Sequence, residues 1–379
     1  MRKTLAIVLF LVLAIATVGA SAETFKIGMV APITGTSSLV GEYMTNGFNL
    51  AADEINAAGG ILGCEVVLEL ADEVDTAQKS VNAMQLLLSE DDVMAIIGSY
   101  YSSNAIAALP DVLDAAVPTM VCGSSSGVSK EGNPYAWQAR PLDTAQGAAM
   151  ANFIVNDLKA VKPAIVYSTN QALQSLQEQL VAALATYGIV VDDSSLFGHP
   201  EDESNFAPYF AQIVAGDYDC IVSLETTALA AIVCQAAETA GVDTSKIPCV
   251  GATAFSNTIT IQNAGTAGEG WYSIADWVAG GASETAQKFE DAYVAKYGTA
   301  SDLGAAVVYD SIYLLKAACE AAGTATDKEA INEAMKTISG LEGAMSTFTY
   351  NEDHSFATSL MITQNIDGAA RVITAVNYR

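Results

Sequence analysis

The chain has 379 residues, with 43 Asp and Glu against 16 Lys and Arg, a formal net charge of −27. That balance excludes nucleic acid and anionic lipid surfaces as partners, because both would repel it. The length fits two domains better than one, and a hydrophobic fraction of 51% supplies sizeable cores for both.

Arg2 and Lys3, an apolar run over residues 5–18 and the small-residue pattern Ala20-Ser21-Ala22 read as a secretory signal, residues 1–22, with cleavage expected before Glu23. The run falls short of the roughly 20 residues that span a bilayer, and no later stretch is long enough, so no membrane span is expected after cleavage. Clusters such as Glu90-Asp91-Asp92 and Glu201-Asp202-Glu203 read as exposed turns.

From residue 25 the chain alternates strands and helices. FKIGMV (25–30) is a buried strand, followed by a polar loop over 31–40. A helix over 41–57 carries Met44, Phe48, Ala51, Ala52 and Ile55 at helical spacing. Residues 65–71 alternate as a strand, and 76–89 form a helix with Val81, Met84, Leu87 and Leu88 inward. Residues 95–97 are a short strand, Gly98 to Ser103 a polar turn, and Asn104 is placed to cap a helix running to Ala116. A second short strand (118–121) leads to a second hydroxyl-rich turn, Gly123-Ser124-Ser125-Ser126-Gly127. In a right-handed parallel crossover both turns fall at the carboxyl edge of the sheet, where open α/β folds bind ligands. Hydroxyls and free amides at helix starts suit an anion such as a carboxylate.

The second half repeats the plan. Strands are expected at 163–168, 189–192, 220–224 and 248–251, with helices at 172–187, 206–215 and 228–240. The segment 270–275 reads as a strand returning to the first lobe, where helices 284–297, 303–322 and 328–339 then pack. Strand-like segments at 347–350, 359–364 and 371–376 close the chain, the last two joined as a hairpin by Asn365-Ile366-Asp367-Gly368. Such alternation predicts α/β architecture with doubly wound parallel sheets.

Catalytic signatures are missing. No G-x-G-x-x-G follows the first strand, and neither a Walker A sequence nor a G-x-S-x-G elbow is present. His199 and His354, the two histidines, fall in polar loops, without zinc-ligand spacing. The chain therefore reads as a non-enzyme without cofactor or metal. An exported hydrolase is the disfavoured alternative. The six cysteines, Cys64, Cys122, Cys220, Cys234, Cys249 and Cys319, read as buried free thiols, with a Cys220–Cys249 bridge the alternative.

The run IGMVAPITGTSSLVGEYMTNGFNLAADEINAAGGILG resembles the start of a type 1 periplasmic solute-binding protein of the branched-chain amino-acid (leucine/isoleucine/valine-binding) family. The likeness continues through IIGSYYSSNAIAALP, VPTMVCGSSSG, the R-x-x-D-x-x-Q-G run at 140–147, and AAVVYDSIYLLKAA. The resemblance implies two α/β lobes joined by three crossovers that close on a ligand. Residues 23–142 plus 272–348 would form the first lobe, and 143–271 plus 349–379 the second. It further implies a monomeric periplasmic receptor for an ATP-driven importer, with a membrane permease as partner and an amino acid as first-choice ligand. A sensory module for a separate signalling partner, and a binder of amides or of aromatic or aliphatic acids, stay open.

In that family the positions matching Ser102 and Gly123–Ser125 hold the ligand carboxylate. Ser102, Ser103, Gly123, Ser124 and Ser125 are therefore candidate binding residues, with Tyr101 or Tyr100 as an aromatic wall. The family's acidic residue for the ligand amine is replaced here by Thr253, and no aromatic follows the strand at 163–168. Glu225 is the available substitute; it reads nearly as well as a charge at a helix N-terminus. Asp276 is a spare amine partner. Arg140 and Asp143 read as hinge braces, and Trp271, Tyr272 and Trp277 as packing.

Overall fold

The apolar strands and amphipathic helices sort into two sheets. The computed structural model describes residues 23–74, 76–281 and 283–377; the signal expected over 1–22 lies outside the described residues. The first half runs β1 (Thr24–Ala31), α1 (Ser38–Ala57), β2 (Glu65–Asp72), α2 (Ala77–Leu88), β3 (Val93–Ile97), α3 (Ser102–Ala115), β4 (Thr119–Val121), α4 (Gly127–Lys130) and β5 (Ala136–Gln138). These strands form an all-parallel sheet in the order β2-β1-β3-β4-β5. β1 and β3 are buried on both faces, as their unbroken apolar runs require.

The chain then crosses to a second lobe. It runs through α5 (Asp143–Asn152), β6 (Pro163–Ser168), α6 (Gln171–Thr186), β7 (Leu196–His199), α7 (Ala207–Ala215), β8 (Cys220–Leu224), α8 (Thr227–Thr239), β9 (Cys249–Gly251), α9 (Thr258–Ala264) and β10 (Tyr272–Ala275). It returns to the first lobe for α10 (Glu284–Tyr297), α11 (Leu303–Ala322), α12 (Lys328–Ala334) and the small pair β11 (Leu341–Glu342) and β12 (Thr347–Phe348). A third crossing leads to β13 (Ser359–Ile366) and β14 (Ala369–Asn377). The second sheet has the order β14-β13-β10-β9-β8-β6-β7. The hairpin turns on Asp367 and Gly368, both at positive φ (53° and 71°), which an Asp-Gly pair tolerates well.

Four expectations are corrected here. The segment 270–275 does not return to the first lobe: β10 pairs in parallel with β9 and antiparallel with β13, so the second crossing comes after Ala275. The strand expected at 189–192 lies instead at 196–199, because Val190 is 80% exposed and a short 3-10 turn at Asp193–Ser195 intervenes. His199 thereby ends a strand, buried, rather than sitting in a polar loop. Asn104 does not cap α3: the helix begins at Ser102, and the Asn104 amide reaches the Glu73 carboxylate at 3.1 Å.

One core joins Phe25, Ile27 and Met29 to Phe48, Trp137, Phe289 and Ile312, so α10 and α11 seal the first sheet. Each such side chain contributes about 1.5–3 kcal/mol on burial. Two further cores clothe the faces of the second sheet. All six cysteines are free and buried. Cys220 and Cys249 point into those opposite cores, which rules out a bridge between them. Trp271 stacks on Phe255 (4.8 Å), Tyr272 packs on Phe153 and Trp277 on Phe289, all as packing groups.

The crossings are tied to one another. Gln138 N–H donates to His354 O (2.9 Å), and Phe356 N–H donates back to Gln138 O (3.0 Å). The Trp137 and His354 rings stack at 4.2 Å. Arg140 Nε donates to Asp276 Oδ2 at 2.7 Å, joining the first crossing to the second. Asp310 of α11 accepts from Ala344 N–H (2.7 Å) and Met345 N–H (2.8 Å), anchoring the turn that precedes the third.

Candidate functional site

Because both sheets are largely parallel, the turns after β1, β3, β4 and β5 gather at one edge, and those after β6, β8, β9 and β10 at another. The turn after β3 is forced by Gly98, at φ 123°, where a Cβ would lie 2.2 Å from Val30 O. Beneath this turn Glu73 is wholly buried and accepts from Ser99 Oγ at 2.5 Å. Burial raises its carboxyl above the usual range, against the hydrogen bonds from Ser99 and Asn104.

The start of α3 is open. Its capping position is Tyr101, whose side chain caps nothing and donates instead to Ser37 Oγ at 2.7 Å. The first amides of a fourteen-residue helix therefore face the cleft edge uncapped, an arrangement that favours an anion. Ser102, 3% exposed, is the first residue of that helix. Its Oγ accepts from Ser125 N–H at 3.3 Å, and among the described residues no acceptor takes its own hydrogen. The hydroxyl is thus held in place with its donor unspent.

Gly123 makes this approach possible: a Cβ there would meet Ser102 Oγ at 2.5 Å and Ser102 Cα at 2.9 Å. Gln138 aligns the loop, donating through Nε2 to Gly123 O (2.8 Å) and Ser125 O (3.2 Å). Ser124 O accepts from Asp143 N–H (2.9 Å), and Asp143 Oδ1 accepts from Ser126 N–H (3.1 Å). Its other oxygen takes the Ser175 hydroxyl of α6, so Asp143 spans the two lobes. The structure thus gathers Ser102, Gly123, Ser124 and Ser125, with Ser103 exposed one position along the helix. Tyr101 lies at the rim, edge-to-face with Tyr100 at 5.3 Å. Burial raises the Tyr100 phenol well above its usual range.

On the second lobe, Thr253 is bound to Asp276. Its Oγ1 donates to Oδ1 (2.5 Å) and accepts from the Asp276 N–H (3.2 Å). Asp276 is in turn neutralised by Arg140. Burial works to lower the Arg140 pKa, and the adjacent Asp276 carboxylate more than offsets it, keeping the guanidinium charged. Glu225, 2% exposed, accepts from Ser223 Oγ at 3.3 Å and lies 3.0 Å from His199 Nε2. His199 Nδ1 faces Pro200 O at 2.9 Å and must donate there, so the pair shares one proton between Nε2 and the carboxyl. Burial raises the Glu225 carboxyl. Burial alone would lower His199, but the bond to Glu225 leaves it raised. Sequence reasoning missed this partner because GHP reads as a turn.

It also missed Asp302 and Asn257. Asp302 caps α11 in the first lobe, accepting from Gly304 N–H (3.1 Å); Asn257 caps α9 in the second, accepting from Ile259 N–H (2.8 Å). The Asn257 amide donates to Asp302 Oδ2 at 2.5 Å, across the cleft. Among the described residues no group of three or more His, Cys, Asp or Glu is placed to hold a metal ion.

Two α/β lobes with a hydroxyl-lined cleft and a tied triple hinge define a protein that captures a solute between its lobes. The chain belongs to the periplasmic binding protein family, whose model matches residues 24–370. That family consists of solute-binding proteins, not enzymes. It is 31% identical over 164 residues to an amino acid binding protein of Pseudomonas aeruginosa, covering 43% of this chain and 44% of that protein. It is 28% identical over 334 residues to the Leu/Ile/Val-binding protein BraC3 of Rhizobium johnstonii, covering 86% of this chain and 87% of the relative. The leucine binding protein LivK of Thermotoga maritima superposes with a TM-score of 0.83 at 22% identity, over 93% of this chain and 99% of that one. A solute-binding protein of an ABC transporter from R. palustris, in complex with benzoate, superposes with a TM-score of 0.82 at 18% identity, over 93% and 96%. At these identities the structural likeness establishes the fold. Among the described residues no helix is long and apolar enough to cross a membrane.

Proposed function

We propose that the chain is the periplasmic receptor of an ABC importer and captures a small carboxylate-bearing ligand, an amino acid first, handing it to a membrane permease as the lobes close. The observation that carries the reading is the start of α3: uncapped amides beside a Ser102 hydroxyl whose oxygen is fixed by Ser125 N–H and whose hydrogen is unspent. The ligand carboxylate takes that hydrogen and those amides. Closure is a hinge motion at the three crossings, stabilised by contacts to both lobes. The relatives named for amino acids support this choice of ligand.

A second reading, an aromatic or aliphatic acid without an amine, is favoured by Thr253 where the resemblance leads one to expect an acidic residue, and by the neutralisation of Asp276 and Glu225 by Arg140 and His199. A thermal-shift screen of the chain from Glu23 onward separates the two. A ligand at 100 times its dissociation constant adds about 2.7 kcal/mol of stability. Shifts by amino acids support the first reading, shifts by amine-free acids alone support the second, and no shift by any carboxylate removes both.

A further inference from the structure

Acidic side chains at the two facing edges divide by what already answers them. Asp276 is paired with Arg140, and Glu225 with His199. Asp143 has both oxygens occupied by Ser126 N–H and the Ser175 hydroxyl. Glu73 lies wholly buried beneath the Ser99 turn. Asp302 differs from Asp276 and Glu225 in having no cationic partner, and from Asp143 and Glu73, which are also held by neutral donors alone, in being partly open to solvent. It is half-buried, its hydrogen bonds come from neutral donors, Gly304 N–H, Leu303 N–H and the Asn257 amide, and among the described residues no Lys, Arg or His nitrogen lies within 4 Å of it. Burial raises its carboxyl above the usual range, against its hydrogen bonds and the more distant Arg140 charge. Its field reaches both Tyr100, two residues before Ser102, and Arg140, so it faces the same cleft as the carboxylate site.

We propose that Asp302 is the counter-group for a cationic nitrogen on the ligand, supplied by the first lobe, and that Asn257 fixes it from the second lobe so that closure and amine recognition occur together. The inference rests on the carboxylate-binding reading above and sharpens it: the ligand class becomes a carboxylate that also carries an ammonium. The Asn257 amide takes one Asp302 oxygen and Gly304 N–H the other; with Leu303 N–H, three of the four lone-pair positions are taken and one is left for the ammonium. The chemistry does not require the acid to come from the strand end marked by Thr253; a carboxylate on the opposing lobe serves equally and couples recognition to closure.

The test is calorimetric titration of the wild-type chain, Asp302→Asn and Asn257→Ala with L-leucine, γ-aminobutyrate and 4-methylpentanoate, the last being leucine without its amine. Asp302→Asn keeps the shape and the helix cap while removing the charge. The wild type is expected to bind at least one amino acid. Asp302→Asn should weaken that ligand about 10- to 150-fold, the range of a charged hydrogen bond, while changing 4-methylpentanoate less than about threefold. Asn257→Ala, which leaves the charge but frees its position, should weaken amine-free ligands through closure alone and amine-bearing ligands through both closure and amine recognition, hence by the larger factor. Equal weakening of both classes by Asp302→Asn overturns the proposal and leaves Asp302 as a closure contact. Unchanged amino-acid binding in Asp302→Asn overturns it outright. If the wild type binds 4-methylpentanoate but no amino acid, the carboxylate reading stands and the Asp302 inference falls. If it binds none of the three, both fall. Unfolding curves without ligand show whether each variant is folded.

Discussion

Replacing Ser102 with Ala tests the carboxylate site most directly. The substitution removes one hydroxyl from a side chain that is 3% exposed, and with it the acceptor for Ser125 N–H and the donor proposed for the ligand. These two losses fall on different measurements. Ser125 is wholly buried, so its orphaned amide costs about 1–3 kcal/mol of stability. In a chain of this size that lowers the ligand-free unfolding midpoint by a few degrees. The ligand loses a hydrogen bond to a charged group, about 1.5–3 kcal/mol, which is about 10- to 150-fold in dissociation constant. Calorimetric titration at a temperature well below the variant's midpoint isolates the second effect from the first. A dissociation constant within about twofold of wild type, in a variant that melts cooperatively, would refute the assignment of Ser102 to the carboxylate.

Gly123→Ala places a Cβ 2.9 Å from Ser102 Cα, so the loop must move off the helix start. We expect a loss of about 1–3 kcal/mol in stability and binding weaker than in Ser102→Ala, read by the same melts and titrations. The His199–Glu225 pair predicts a pH dependence. Both groups have raised pKa values in the folded chain, so their contribution is complete below the ordinary values and is lost as pH rises through the folded ones. Glu225→Gln removes the shared proton, and the midpoint gap between wild type and variant should narrow as pH rises above 6.5, the ordinary histidine value. A gap that stays constant from pH 6 to pH 9 counts against the shared proton. Asp310→Ala leaves the Ala344 and Met345 amides without acceptors and should cost about 2–5 kcal/mol, measured by urea unfolding, with the third crossing opened first to protease. Unchanged urea and protease profiles would mean the turn holds itself.

Local pattern carried most of the architecture because apolar periodicity is a local signal. α10 and α11 fall where residues 284–297 and 303–322 place their apolar faces, and the last hairpin turns on Asp367-Gly368. What the pattern could not decide is which sheet a strand joins. Tyr272–Ala275 is apolar enough for either, and its pairing with β9 and β13 is a long-range choice. β5 was missed for a related reason: three residues are too few to carry a period. At the site, hydroxyl-rich turns after strands were readable as such, whereas the reason for a glycine at 123, its close approach to Ser102, appears only in the fold. Asp302 and Asn257 were hidden because each has a sufficient local role as a helix cap, which conceals the bond between them.

The bracing of the three crossings has a mechanical consequence. Gln138 is laced to His354 and Phe356, Trp137 lies flat on His354, and Arg140 grips Asp276. Three independent strings would let the lobes twist, shear and bend separately. Laced together they would resist twist and shear and leave a single bending direction, as a flat spring does. Under the hinge closure proposed above, contact made anywhere in the cleft would produce the same rotation at the outer rims. A permease in the role proposed above, straddling both lobes, would then need to sense only that one coordinate.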